Sequence, residues 1–132
     1  MTKFKSVLII DDDTFNLILL ERVFKKNNLA EVVFTALDGA EGLDKIKYLR
    51  DKKLDMPEMV LLDINMPVMN GIEFLKQLSE LDLNPLPFKI FIMLTTALPD
   101  TLSNRITEKL VTANIEKPLS AENIRNMMEA YF

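Results

Sequence analysis

Short apolar runs of strand length alternate with longer stretches of helical spacing five times along the chain, and few folds accommodate that order. Val7-Leu8-Ile9-Ile10, Val32-Val33-Phe34, Met59-Val60-Leu61-Leu62 and Ile90 to Leu94 read as strands, with Asn114-Ile115-Glu116 as a weak fifth. Between them, helical stripes are marked by Phe15, Ile18, Leu19 and Val23, by Leu43, Ile46 and Leu49, by Ile72, Leu75, Leu78 and Leu81, and by Leu102, Ile106 and Leu110. Ile124, Met127, Met128 and Tyr131 mark a last helix, with both methionines expected in the core. Asp13 or Thr14 can cap the first helix, Asp100 the fourth, and Ser120 the last. Strands apolar on both faces imply a parallel sheet covered by helices on both sides. The expected class is therefore α/β, a doubly wound five-stranded parallel sheet. Arg50 to Glu58 and Asn84 to Pro87 read as surface loops, neither resembling a domain linker. A length of 132 residues fits one domain over 1–132, with no output domain expected.

Composition removes whole classes of chemistry. The chain has no Cys and no His, which excludes disulfides, thiolate nucleophiles, Ser-His triads, imidazole bases and a phosphohistidine of its own. Sixteen basic against 20 acidic residues leave a charge of −4, so no general attraction to nucleic acid or to an anionic membrane is expected. The longest purely apolar run, Ile90 to Leu94, falls far short of the roughly 20 residues of a spanning helix. The basic start meets three Asp residues immediately after Ile10, unlike a secretory leader, so a cytoplasmic location is expected.

In a doubly wound sheet, ligands bind beyond the carboxyl ends of the strands. The residues there are Asp11, Asp12 and Asp13 after the first strand, Asp63 after the third, Thr95 and Thr96 after the fourth, and Lys117 with Pro118 after the fifth. Carboxylates brought together repel one another unless a cation offsets them. An all-oxygen donor set points to a hard ion, Mg²⁺ first and Mn²⁺ as the alternative. An ammonium from Lys117 and a hydroxyl from Thr95 add grips for phosphoryl oxygens. Cation, ammonium and hydroxyl around one Asp make a site for a phosphoryl group on that Asp.

Four segments in this order and spacing carry a resemblance: Val7 to Asp12, Val60 to Gly71, Met93 to Thr96, and Glu116 to Leu119. Over nearly its whole length the chain resembles the receiver domain of bacterial two-component response regulators. The resemblance implies the (βα)5 flavodoxin-like receiver fold with strand order 2-1-3-4-5. It implies Asp63 as the phosphoacceptor, which also faces the metal. It implies Asp12 as a direct Mg²⁺ ligand, Asp11 as a ligand through water or a partner of Lys117, and the backbone carbonyl of Asn65 as a further ligand. Thr95 would be the switch hydroxyl, 22 residues before Lys117 as in the family; Lys117 would hold a phosphoryl oxygen, and its peptide bond to Pro118 would be cis. The acidic pair of the family follows the strand at once, which selects Asp11 and Asp12 and leaves Asp13 as a helix cap. The chain departs from the family at Asn114, where many receivers carry an aromatic residue. It also lacks the usual Gly-Ala before the fifth strand and has a longer loop before the third.

The function implied is a phosphorylation-controlled switch. A sensor histidine kinase or a histidine phosphotransfer protein supplies the phosphoryl group, and a downstream protein reads the change. Beyond self-catalysed phosphorylation and dephosphorylation, no enzyme is expected. A phosphorylation-independent interaction module is the competing reading. A haloacid-dehalogenase-type phosphatase would need an acid where Asn65 stands, and Asn cannot protonate a leaving group. Gly71 reads as a turn residue with positive φ.

Overall fold

Five parallel strands run in the order β2-β1-β3-β4-β5, with β1 at Phe4–Ile10, β2 at Ala30–Ala36, β3 at Met59–Asp63, β4 at Lys89–Leu94 and β5 at Val111–Glu116. The helices are α1 at Thr14–Lys26, α2 at Gly39–Asp51, α3 at Gly71–Ser79, α4 at Arg105–Leu110 and α5 at Ala121–Tyr131. The structure is a computed structural model and describes residues 2–64, 66, 69–94 and 105–132, with the backbone alone at 105–107. Fold class and strand order match the expectation from sequence.

The two-residue period of the strands divides the core into two layers. Leu8, Ile10, Val60, Leu62, Ile90 and Ile92 point to one face and pack with Leu43 and Ile46 of α2 and with Phe74, Leu75 and Leu78 of α3. Val7, Ile9, Met59, Leu61, Phe91 and Met93 point to the other and pack with Leu17, Leu20 and Phe24 of α1 and with Ile124, Met127 and Met128 of α5. Every residue of the central strand β3 is buried, whereas the edge strand β5 alternates between half-buried and exposed. The chain leaves β1 toward β2 and returns across β1 to reach β3, so the connections diverge between β1 and β3. That divergence opens a crevice at their carboxyl ends.

The structure corrects several local readings. The stripe Phe15, Ile18 and Leu19 faces solvent, Phe15 at 69% exposure, and the buried face is Leu17, Leu20 and Phe24. Residues 15–24 hold seven apolar side chains, so periodicity fits more than one phase. Packing on the sheet selects the buried face, while Asp13, the actual N-cap, fixes the helix start by accepting from the Phe15 and Asn16 amides. α2 runs through Arg50 to Asp51, which shortens the loop expected from Arg50. β5 starts at Val111, three residues earlier than read. Leu81 lies beyond the end of α3 yet still packs on the core.

Gly71 does not have positive φ. Its constraint is space: a Cβ there would lie 2.8 Å from Ile64 Cδ1, 3.1 Å from Ile64 Cα and 3.3 Å from the Asp63 carbonyl oxygen. Ser120 caps α5 as expected and forms a reciprocal capping box with Asn123. Asp100 and Leu102, read as a cap and a stripe residue, lie outside the described residues.

Candidate functional site

β1 delivers Asp11 to the crevice. Its amide continues the sheet pairing by donating to the Ala36 carbonyl at 3.0 Å, and its side chain has no exposed surface. Three donors converge on that carboxylate. The Asp13 amide reaches Oδ1 at 2.9 Å, and the Asn16 side-chain amide and Lys117 Nζ reach Oδ2 at 2.5 and 2.9 Å. Burial acts to raise the pKa of Asp11. The Asp13 amide, the Lys117 ammonium and the Asn16 amide outweigh it and hold the carboxyl below its ordinary value.

β3 delivers Asp63, almost wholly buried, and Lys117 Nζ stands 3.7 Å from its Oδ2. Lys117 is fixed at its own backbone, where its amide donates to the Leu94 carbonyl at 2.7 Å and its bond to Pro118 is cis. Asp12 follows Asp11 and is exposed. One carboxylate oxygen each from Asp11, Asp12 and Asp63 lies within 4.8 Å of the others. Three carboxylates facing one ammonium leave two negative charges, which a divalent cation offsets. Donor type, charge and partial exposure fit a hydrated hard dication such as Mg²⁺.

Ile64, the neighbour of Asp63, is tied to the start of α3. The Gly71 amide donates to the Ile64 carbonyl at 3.1 Å, and Asn70 caps α3 by accepting from the Glu73 amide at 2.9 Å. Of the residues read from sequence, Asp11, Asp12, Asp63 and Lys117 come together. Asn65 and Thr95 lie outside the described residues. Asn16 is a site residue that the sequence reading missed. The signal was present: with Asp13 as N-cap, Asn16 is the third helical residue, whose side chain reaches back past the helix start.

Exposed Phe15, Ile18 and Leu19 share α1 with this site, one helix turn and beyond from Asp12. A cleft of about 770 Å³ elsewhere, between Leu78, Asp82, Pro85, Leu86 and Lys109, contains none of the clustered carboxylates.

Known proteins resemble the chain in sequence and fold. Residues 7–129 match the family model of the response regulator receiver domain. A two-component response regulator from Cytophaga hutchinsonii superposes with a TM-score of 0.81 at 24% identity, covering 96% of each chain. A CheY in complex with CheX, BeF3 and Mg²⁺ from Borrelia burgdorferi superposes with a TM-score of 0.73 at 29% identity, covering 96% of this chain and 89% of that one. A protein-glutamate methylesterase/protein-glutamine glutaminase from Methanococcus maripaludis is 41% identical over 78 residues, which is 59% of this chain and 20% of that protein. The chain thus spans about a fifth to a quarter of the curated relatives of this kind that it matches. With the match covering both acidic strand ends and Lys117, the chain belongs to the response regulator receiver domain family of two-component signalling.

Proposed function

We propose that this chain takes a phosphoryl group onto Asp63 from a phosphohistidine of a partner protein and controls a second protein through the resulting change. The observation that carries the reading is the meeting of the Asp63 carboxylate with those of Asp11 and Asp12, under one ammonium from Lys117. An Asp63 oxygen attacks the phosphorus, the P–O bond forms as the P–N bond breaks, and the imidazole leaves neutral by taking up a proton from solvent. Lys117 already lies between Asp11 and Asp63, so a short movement toward a phosphoryl oxygen exchanges one anionic partner for another. Asp12 and Asp63 would hold the Mg²⁺, with Asp11 acting through water and the Asn65 carbonyl as a further ligand. The ion would offset the charge of the incoming group. Thr95 would take the hydroxyl role at the phosphoryl group.

The donor would be a sensor histidine kinase or a histidine phosphotransfer protein, and the reader a downstream protein. The exposed apolar face of α1 beside the site offers the donor a surface to dock on. The chain would not turn over a free substrate. Methylesterase activity does not transfer from relatives of which the chain spans so little.

Incubation with acetyl phosphate and Mg²⁺, followed by intact mass measurement, tests the reading. The expected result is one added phosphoryl group, labile to base, absent without Mg²⁺ and absent in Asp63→Asn. No added mass, or mass that survives Asp63→Asn, would favour a phosphorylation-independent interaction module.

A further inference from the structure

The first residue of α2 abuts the segment that follows Asp63. The Gly39 amide donates to the Met69 carbonyl at 3.3 Å. A Cβ on Gly39 would lie 2.8 Å from Met69 Cγ, 2.9 Å from the Met69 carbonyl oxygen and 3.0 Å from Met69 Sδ. Gly39 does not have positive φ, so glycine is required here for space alone. Neither side of the contact can yield freely. Gly39 is held by α2, which Asp38 caps through the Glu41 amide and which Leu43 and Ile46 anchor in the core. Met69 is followed by Asn70, the cap of α3, and by Gly71, whose amide holds the Ile64 carbonyl next to Asp63. Two described points near Asp63 are thus held: Ile64 by the Gly71 amide and Met69 by the Gly39 amide.

We propose that Gly39 is a positioning residue for the phosphorylation site. Its amide and its missing side chain set the distance from α2 to Met69, and through the clamp at Gly71 they set where Asp63 stands relative to Asp11 and Asp12. The inference rests on the reading of Asp63 as phosphoacceptor. A carbonyl pushed aside at Met69 bears on Asn70 and Gly71, and through the Gly71 amide on Ile64 beside Asp63; groups that orient metal ligands affect metal affinity strongly.

The test uses the full chain with Gly39→Ala, Gly39→Pro and Gly42→Ala. Proline adds the same Cβ and also removes the donor at the first helical position, where helices accept it, so Gly39→Pro crowds Met69 and cuts the tether without breaking α2. Gly42→Ala is the packing control, since its Cβ would strike Ile10 Cδ1 at 2.5 Å and Phe74 Cε1 at 3.3 Å, away from Met69. The Mg²⁺ dissociation constant by calorimetry, the rate of phosphorylation by acetyl phosphate and the Tm are measured for each. Both Gly39 variants are expected to weaken Mg²⁺ binding roughly tenfold and to slow phosphorylation. Gly42→Ala is expected to lower Tm and leave the dissociation constant unchanged. A folded Gly39 variant with wild-type Mg²⁺ binding and phosphorylation overturns the inference. So does a Gly42→Ala chain that weakens Mg²⁺ binding equally. If the wild type takes up no phosphoryl group, the phosphoacceptor reading fails, and the dissociation constants still decide the role of Gly39.

Discussion

A carboxylate with no exposed surface destabilises a fold unless donors answer it, and Asp11 has three, two from the start of α1 and one from Lys117 beyond β5. Its pKa in the fold lies below the unfolded value, so it adds stability at neutral pH. That contribution begins to fall as pH drops below about 4, the unfolded value, and is gone below the folded value. Metal-free urea denaturation from about pH 6 to about pH 3 should therefore show the wild type losing stability faster than Asp11→Asn, with the two curves converging in acid. Parallel curves would show that the donors do not depend on the charge. Gly71 poses the opposite problem, one of room. Its missing Cβ lets α3 start directly behind Asp63, against the backbone of Ile64. Gly71→Ala should cost about 1–3 kcal/mol by overpacking, less whatever the helix gains from alanine. Chemical denaturation measures it, and a stabilised variant would show that Ile64 gives way. A glycine was legible here, yet its reason was not, because sequence does not separate a backbone conformation from a close approach.

At the scale of elements, helix ends were more legible than helix faces. Asp13 and Ser120 bind their first-turn amides through side chains that sequence names outright. The face of α1 was misread because its apolar residues surround much of the helix, and only packing against Val7, Ile9 and Leu29 selects Leu17, Leu20 and Phe24. Asn16 stayed hidden with it, since its role follows from the phase. The carboxyl ends of α1 and α2 share a second device. Asn28 and Lys53 have φ of 54° and 56°, and the next amides, Leu29 and Leu54, donate back to Phe24 at 2.8 Å and Leu49 at 2.9 Å. Asn tolerates that conformation better than Lys, whose Cβ crowds its own carbonyl. Lys53→Gly should relieve the strain and raise stability by about 0.5–1 kcal/mol after glycine's entropy is counted, and Asn28→Gly should gain less. Thermal denaturation of the two variants compares them, and an equal or reversed order would contradict the strain argument.

Across the whole molecule, the site exists because strand order gathers residues as distant as Asp11 and Lys117, which are 106 positions apart. Periodicity predicted strands and their carboxyl ends but not which strands are neighbours, since each apolar run fits any slot in a buried parallel sheet. The order became legible only through the resemblance carried by the residues at the ends of the strands. The same gathering ties stability to charge. Asp12 and Asp63 are drawn toward Asp11 only in the folded chain, while Lys117 offsets one of the three charges. An ion that binds this cluster binds the folded chain alone and stabilises it by mass action, about 2.7 kcal/mol at a hundredfold excess over its dissociation constant. Mg²⁺ should therefore raise Tm by several degrees at constant ionic strength, which separates binding from screening. Asp12→Ala takes away an exposed carboxylate that packs against nothing in the core. Without Mg²⁺ that variant should match or exceed the wild type in stability, because a repulsion is gone; with Mg²⁺ it should lose most of the rise. Differential scanning calorimetry of both chains across a Mg²⁺ series measures the two effects together. Equal rises in wild type and variant would place the ion away from the strand ends.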